Sequence, residues 1–331
     1  MSFLILPDNL IIITERYGKL RILFPDGRIK NVVGVPEVWA RGQGGLLDVI
    51  VDHNYHHNKV IYLSYSEPSK NKKLAGTAVA KAKLILSSTP NLRDLKVIFS
   101  QNKKTASGAH FGSRIVQAPD RTLYITVGDR GDRSRAQDYL DHAGSIIHIN
   151  PDGTIPENNP FKSSKNKLPE IWSVGHRNPQ GAAWHPLENS FWTVSHGAMG
   201  GDEINIPKRG GNYGWPIISY GRHYGGEKIG EGTKKIGMKQ PLYYWDPSIA
   251  PSGLTIYNGK AFPNWHGNLF VGSLKLQFLA RLQIEKGAVK SEERLFIKKF
   301  GRIRDIKQGP RGYLYFITDS NPASLMVIKP R

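Results

Sequence analysis

The sequence predicts an all-β fold, a six-bladed β-propeller with about four antiparallel strands in each blade. Three observations favour this fold class. One pattern of a turn followed by a strand returns six times along the 331 residues. The returns lie about 45 to 80 residues apart, a period that fits one blade for each return, with long insertions between them. No segment shows a convincing amphipathic-helix pattern, and 35 Gly and 21 Pro indicate a chain rich in turns.

In each return, a turn containing Pro, Asp, Gly or Asn leads into a strand of alternating apolar residues and then a small or acidic residue. A β-sandwich is the alternative, but its turns come about every 8 to 12 residues without a longer period. Because the innermost strands of a propeller converge, we expect the loops beside the returns to line a pocket on the axis. In chain order the returns are Pro7–Glu15, Asp52–Ser66, Pro119–Asp129, His185–Gly197, Pro263–Lys275 and Pro310–Asp319.

We expect residues 1–331 to form a single domain, because no low-complexity linker or change of composition divides the chain. The first return begins almost at the start of the sequence. Since an open sheet edge invites aggregation, the ring should be closed either by Ser324–Lys329 (SLMVIK) or by N-terminal residues that are missing from this sequence.

Composition excludes several classes of function. The chain has no Cys, which rules out disulfides, thiolate metal sites and cysteine nucleophiles. No apolar run approaches the ~20 residues of a membrane span, and the first residues do not form a signal peptide, so we expect a soluble protein. The formal charge is +19, but the Lys-rich pieces are scattered over separate loops, and we therefore predict no nucleic-acid binding.

The stretch Ser107–Asp138 holds the first candidate for chemistry. His110 precedes a predicted strand and Asp129 ends the following hairpin, an arrangement in which a carboxylate could orient an imidazole base. Asp129–Asp132 (DRGD) could equally be a salt-bridged turn. The same segment fails the spacing of an EF-hand, because Gly131 and Arg133 occupy positions that need oxygen ligands.

Two further stretches carry charged side chains suited to anions. Arg177 and Asn178 place a cation beside an amide donor, a pair that could hold developing negative charge on oxygen. Ser195 in the same region does not indicate a hydrolase, because Gly-x-Ser-x-Gly is absent. In GRIRD, Arg302 and Arg304 lie two apart on a strand and so face the same way, although a surface ladder of charges would also explain them.

Ten motifs together resemble the soluble aldose sugar dehydrogenases that use pyrroloquinoline quinone, the glucose/sorbosone dehydrogenase family. The likeness covers nearly the whole chain in the expected order. The motifs are GQGGLLDV, HFGSR, VGDRGDR with AQD following, HINPDGTIPENNPF, GHRNPQG, GGDEIN, NYGWP, PSIAPSGL, VGSLK and GRIRD.

The resemblance implies a role for each candidate residue. His110 matches the general base and Asp129 the carboxylate that orients it, while Arg177 is similar to a catalytic arginine beside the quinone oxygens. Calcium that holds the quinone is implied at the carbonyls of Gly197 and Ala198, where the family commonly has Pro in place of Ala198. A second, structural calcium is implied at Glu203 and the Tyr213 region. The implied cofactor-binding residues are Gln43, Arg177, Asn178, Tyr224, Lys275, Arg302 and Arg304.

The charge of the cofactor agrees with this resemblance, because pyrroloquinoline quinone carries three carboxylates and Lys275, Arg302 and Arg304 supply three cations. The resemblance implies that an aldose is oxidised at its anomeric carbon to a lactone and that an external acceptor takes the electrons. It also implies a periplasmic or secreted monomer or homodimer, although no signal peptide is present. Two alternatives remain: a propeller that binds a ligand without redox chemistry, and a calcium-dependent sugar-lactone hydrolase.

Overall fold

The computed structural model describes residues 2–6 and 8–330. Within these ranges the chain forms 23 strands in six antiparallel sheets, with one four-residue α-helix and three short 3₁₀ helices. The chain divides into two compact units, Met1–Asn178 and Pro179–Arg331, and each unit holds three of the sheets. Pro7, where the first return begins, lies outside the described residues.

The first unit contains three four-stranded sheets, in each of which consecutive strands pair. The first sheet consists of β1 (Phe3–Ile5), β2 (Ile11–Glu15), β3 (Lys19–Leu23) and β4 (Ile29–Val32). The second consists of β5 (Leu46–Val51), β6 (Val60–Pro68), β7 (Ala75–Ile85) and β8 (Asn91–Ser100), with helix α1 (Tyr55–Asn58) between β5 and β6. The third consists of β9 (Ile115–Gln117), β10 (Leu123–Val127), β11 (Ser145–Ile149) and β12 (Ile171–Ser173), with a 3₁₀ helix at Arg133–Gln137.

The second unit repeats the arrangement with two four-stranded sheets and one of three described strands. The fourth sheet consists of β13 (Pro179–His185), β14 (Ser190–Ser195), β15 (Asp202–Asn205) and β16 (Tyr243–Trp245). The fifth consists of β17 (Pro251–Ile256), β18 (Leu269–Ser273), β19 (Leu279–Glu285) and β20 (Ala288–Leu295), with a 3₁₀ helix at Pro263–Trp265. The sixth consists of β21 (Ile303–Gln308), β22 (Leu314–Thr318) and β23 (Leu325–Ile328), with a 3₁₀ helix at Pro310–Gly312.

Five of the six returns contain the whole second strand of a sheet, and the return Asp52–Ser66 contains all but the last two residues of β6; these strands are β2, β6, β10, β14, β18 and β22. Each sheet corresponds to one predicted blade, and the predicted fold class, a six-bladed β-propeller of antiparallel blades, is confirmed. The SLMVIK segment forms β23, which pairs with β22.

Apolar layers lie between successive sheets within each unit. In the first unit, Ile22 of β3 belongs to the same buried cluster as Val49 of β5 and Leu63 of β6. In the second unit, Val194 of β14 shares a buried cluster with Leu254 of β17. Strands such as β10 and β18 are buried along their whole length.

The antiparallel order determines where functional loops emerge. In each sheet the first strand begins at the same edge at which the second strand ends, since neighbouring strands run in opposite directions. Residues before a first strand and after a second strand are therefore brought together. Among the described residues, no helix is long and apolar enough to span a membrane.

Candidate functional site

His110 and Asp129 meet at one edge of the third sheet. His110 lies in the loop that leads into β9, and Asp129 follows the end of β10, so both loops emerge at the edge described above. The Nδ1 atom of His110 lies 2.6 Å from Oδ1 of Asp129. With Nδ1 protonated and bound to this carboxylate, Nε2 is the basic atom of the ring. The His110 side chain is 16% exposed, so solutes can reach it.

Asp129 is a buried carboxylate that stays ionised. Burial acts to raise the pKa of Asp129, but the hydrogen bond and charge of His110, the Gly131 N–H and the positive charge of Arg177 outweigh it, so the pKa lies below its ordinary value. The Gly131 N–H donates to Oδ1 at 2.8 Å, which also closes a turn after β10. The carboxylate of Asp129 therefore closes the turn in DRGD and also binds His110.

The backbone at His110 has an unusual conformation. His110 has a φ of 52°, in the left-handed region that only a small minority of residues other than glycine adopt. The loop passes so close to β10 that a Cβ at Gly128 would overlap the carbonyl oxygen of His110. The Gln43 side chain accepts a hydrogen bond from the His110 N–H at 2.8 Å, which ties the GQGG loop to the base.

Arg177 and Asn178 follow β12 and reach the same edge of the third sheet. The Asp129 N–H donates to the carbonyl of Arg177 at 2.8 Å. The Asn178 side-chain oxygen accepts from the Gly112 N–H at 3.1 Å, two residues after the base. The structure thus brings Gln43, His110, Asp129, Arg177 and Asn178 together within the first unit.

His176 directly precedes Arg177 and contacts the end of β12. Its ring is buried, and Nε2 lies 2.9 Å from the hydroxyl of Ser173 at the end of β12. Burial lowers the pKa of His176 to about 3, so the ring is neutral at physiological pH.

In the second unit, Arg302 and Arg304 point to the same carboxylate. Both guanidinium groups bind Oδ2 of Asp319, at 3.0 Å and 2.9 Å, and Asp319 follows the end of β22. Burial acts to raise the pKa of Asp319, but the hydrogen bonds and charges of Arg304 and then Arg302 outweigh it and lower the pKa.

Lys275 directly follows Leu274, which Arg302 contacts. Arg302 also donates to the carbonyl of Leu274 at 3.3 Å, next to Lys275, whose own side chain is exposed. Three cations and one carboxylate leave this part of the second unit with excess positive charge. Sequence reasoning missed Asp319, although its place after the second strand of its sheet is the place that Asp129 occupies in the third sheet.

Gly197 and Ala198 form a tight turn after β14. Asp202 accepts a hydrogen bond from the Gly197 N–H at 2.8 Å, and its other oxygen accepts from Ser248, Ile249 and Ala250. A Cβ at Gly197 would overlap the carbonyl oxygens of Gly200 and Gly201, so the turn requires glycine there. Asp202 thus stiffens the segment that carries Ala198 in the position where Pro was expected.

Glu203 lies on β15, directly after Asp202. Burial raises the pKa of Glu203 to about 7, with a further contribution from the negative charge of Asp202. In the described ranges no basic side chain forms an ion pair with Glu203, whose partner is the Asn205 amide at 3.0 Å. Calcium prefers carbonyl and carboxylate oxygens as ligands. Gly197 and Ala198 have such carbonyl oxygens, and Glu203 has a partly buried carboxylate without an ion-paired cation among the described residues.

The two tyrosines predicted to belong to the site have different surroundings. The Tyr213 hydroxyl donates to the carbonyl of Ile206 at 2.5 Å and accepts from the Lys208 N–H. The Tyr224 ring is 77% exposed. No group of three or more His, Cys, Asp or Glu that could hold a metal occurs among the described residues. The predicted calcium ligands are mainly backbone carbonyls, which such a group does not include.

The comparisons with known proteins cover almost the whole chain. The sequence model of the glucose/sorbosone dehydrogenase family matches residues 1–327. The chain is 41% identical over 330 residues to the aldose sugar dehydrogenase YliI of Escherichia coli (strain K12), covering 98% of this chain and 88% of that protein. It is 28% identical over 398 residues to quinoprotein glucose dehydrogenase B of Acinetobacter calcoaceticus, covering 95% and 82%.

A solved structure of a related protein is also similar to this chain. The crystal structure of the soluble aldose sugar dehydrogenase from Escherichia coli in the apo-form superposes with a TM-score of 0.95 at 40% identity. The match covers 100% of this chain and 96% of that one.

Proposed function

This chain belongs to the glucose/sorbosone dehydrogenase family, and from that membership we propose that it oxidises the anomeric carbon of aldose sugars to lactones with pyrroloquinoline quinone and calcium, passing the electrons to an external acceptor. The observation that carries the proposal is the 2.6 Å contact between His110 and the ionised carboxylate of Asp129. The printed name of one relative, a quinoprotein glucose dehydrogenase, supports the choice of a quinone cofactor.

The protein's own residues supply acid–base chemistry. Nε2 of His110 accepts the proton of the sugar's anomeric hydroxyl, and the carboxylate of Asp129 stabilises the imidazolium that forms. Arg177, whose positive charge already acts on Asp129, stabilises negative charge that develops on oxygen. When bound, the quinone would supply the acceptor for the C1 hydrogen and its two electrons, and calcium would supply a Lewis acid.

The residues present fit both groups. Lys275, Arg302 and Arg304 supply excess positive charge for the three carboxylates of the quinone, and arginine forks suit carboxylates. Gln43, Asn178 and Tyr224 are the further cofactor contacts that we propose. Gly197 and Ala198 would offer carbonyl oxygens to calcium, and Glu203 and the Tyr213 region would hold a second ion.

Reconstitution tests the proposal. Apo-protein mixed with the quinone and calcium should change the quinone's absorbance, and adding aldoses should then reduce a redox dye. Methyl glucoside is the matched control, because it lacks a free anomeric hydroxyl and should give no dye reduction. A chelator should abolish the activity, and added calcium should restore it.

The two alternatives predict different results from the same samples. A propeller without redox chemistry would give neither an absorbance change nor dye reduction. A sugar-lactone hydrolase would consume lactone in the presence of calcium without any quinone. The periplasmic or secreted location, the oligomeric state and the single-domain organisation stay predictions.

A further inference from the structure

Arg130 is a buried cation directly after Asp129. Its side chain is 1% exposed and is among the largest fully buried side chains of the described residues. Burial, and then the positive charge of Arg135, lower the pKa of Arg130 to about 9, so the group is still a cation at neutral pH. No carboxylate forms an ion pair with Arg130 within the part of the chain that the structure describes. Burying a cation without such a partner is unfavourable, so other contacts must stabilise the guanidinium.

Those contacts all belong to one short loop, Ser107–Phe111, which we name the base loop because it contains His110. The two terminal nitrogens of the guanidinium donate to the carbonyl oxygens of Ala109 and Ser107. The guanidinium carbon lies 3.4 Å from the centre of the Phe111 ring, a cation–π contact. The backbone N–H of Arg130 donates to the carbonyl of His110 at 3.3 Å.

Arg130 therefore binds three carbonyls of the base loop, including the carbonyl of His110 itself. The left-handed backbone of His110 is strained and persists only where neighbouring groups enforce it. The planar guanidinium binds two carbonyls at once, which a lysine cannot do in the same geometry. We expect loss of the two side-chain bonds to let the loop move His110 away from Asp129.

We propose that Arg130 is a positioning residue that holds the base loop so that Nδ1 of His110 stays against Asp129. The effect on catalysis rests on the proposed function, whereas the effect on the position of His110 does not. The variant Arg130→Met keeps an apolar side chain against Phe111 but removes both donors to the loop. The matched control is Arg135→Met, because Arg135 binds Asp141 at 2.8 Å and makes no described contact with the base loop.

The first readout needs no cofactor. In apo-protein with ¹⁵N-labelled histidine, the Nδ1–H of His110 should give a strongly downfield proton resonance, assigned by its loss in His110→Ala. We expect this resonance to disappear or move upfield in Arg130→Met and to persist in Arg135→Met. An unchanged resonance in Arg130→Met would overturn the proposal, whatever the activity of the wild type.

The second readout is kinetic, in protein reconstituted with the quinone and calcium. Arg130→Met should lower kcat about 100-fold, the typical effect of a misplaced catalytic group. Its affinity for the quinone should stay within about twofold of the wild type, because the cations assigned to the cofactor are unchanged. The isotope effect on kcat with C1-deuterated glucose should rise.

In the His110→Ala background, adding Arg130→Met should cause little further loss. An equal loss with and without His110 would overturn the proposal, because Arg130 would then not act through the base.

Should Arg130→Met fail to fold, Arg130→Lys takes its place, and we expect a smaller loss of kcat. A wild-type kcat together with an unchanged His110 resonance in Arg130→Lys would overturn the proposal. Failure of the wild type to reduce dye would instead count against the proposed function, and the resonance would still decide the role of Arg130.

Discussion

Arg302 and Arg304 bind the same carboxylate oxygen of Asp319, at 3.0 Å and 2.9 Å. The carboxylate fixes both forks in one orientation and neutralises only part of their charge. The pair is thus preorganised for an anion and keeps positive charge for it.

Replacing Arg302 by Ala should weaken quinone binding. Loss of one charge-assisted contact costs about 1.5 to 3 kcal/mol, which corresponds to a roughly 10- to 100-fold higher Kd. At saturating quinone, kcat should change little. Absorbance titration of apo-protein measures the effect. Arg311→Asn is the control, because Arg311 precedes β22 whereas Asp319 follows it. An unchanged Kd in Arg302→Ala would mean that GRIRD is an ordinary charged surface segment.

Replacing Asp319 by Asn should lower the free energy of unfolding at pH 7 by about 1 kcal/mol, because the partly buried Arg304 and the more exposed Arg302 lose their charged partner. The pKa of Asp319 is lowered in the folded protein, so its contribution to stability is present above the unfolded pKa. It is lost as the pH falls through the folded pKa. The difference between variant and wild type, measured by urea denaturation, should therefore shrink in acid; a difference that grows there would contradict this assignment.

Replacing Asp129 by Asn should lower kcat on the order of 10³-fold while quinone binding persists. The amide can donate to Nδ1 of His110, which would move the ring proton to Nε2 and remove the base. Stopped-flow reduction of the reconstituted protein by glucose measures this rate. Wild-type reduction in Asp129→Asn would show that the carboxylate does not set the tautomer.

His176 should make the protein sensitive to acid. Its pKa is about 3 when folded, against about 6.5 for an exposed histidine. Below pH 6.5 the unfolded chain binds a proton that the folded chain does not, so stability falls as the pH drops from 6.5 towards 3. Between pH 7 and pH 5 this group alone removes about 2 kcal/mol.

The variant His176→Gln, which can keep the bond to Ser173, should lose about 2 kcal/mol less than the wild type over that interval. Urea denaturation at the two pH values gives the comparison. His57→Gln, at an exposed position of α1, is the control and should behave as the wild type does. An identical pH dependence in His176→Gln would mean that this ring has the same pKa in the folded and unfolded protein.

The sequence predicted the second strand of each sheet, because those strands combine a turn signal with apolar alternation, as in β10 and β22. It also predicted that His110 and Asp129 flank one hairpin, and antiparallel pairing then places them together. Other features depend on tertiary contacts that no local pattern reveals.

Arg130 illustrates the limit. In the sequence it belongs to a charged turn, and arginine is usually exposed. Its burial follows from the base loop folding over it, a contact between segments about 20 residues apart. Asp319 was missed for a related reason: a carboxylate that ends a strand looks like a surface residue until two arginines of β21 and its preceding turn reach it.

In the proposed function, His110 acts as the base in quinone-dependent oxidation of an aldose. The most direct measurement is the rate of dye reduction by wild type and His110→Ala, each reconstituted with the quinone and calcium and shown by absorbance to hold equal amounts of quinone. We expect rapid reduction by the wild type with free aldoses and a rate about 10²- to 10⁴-fold lower in His110→Ala. Equal rates in the two proteins would contradict it.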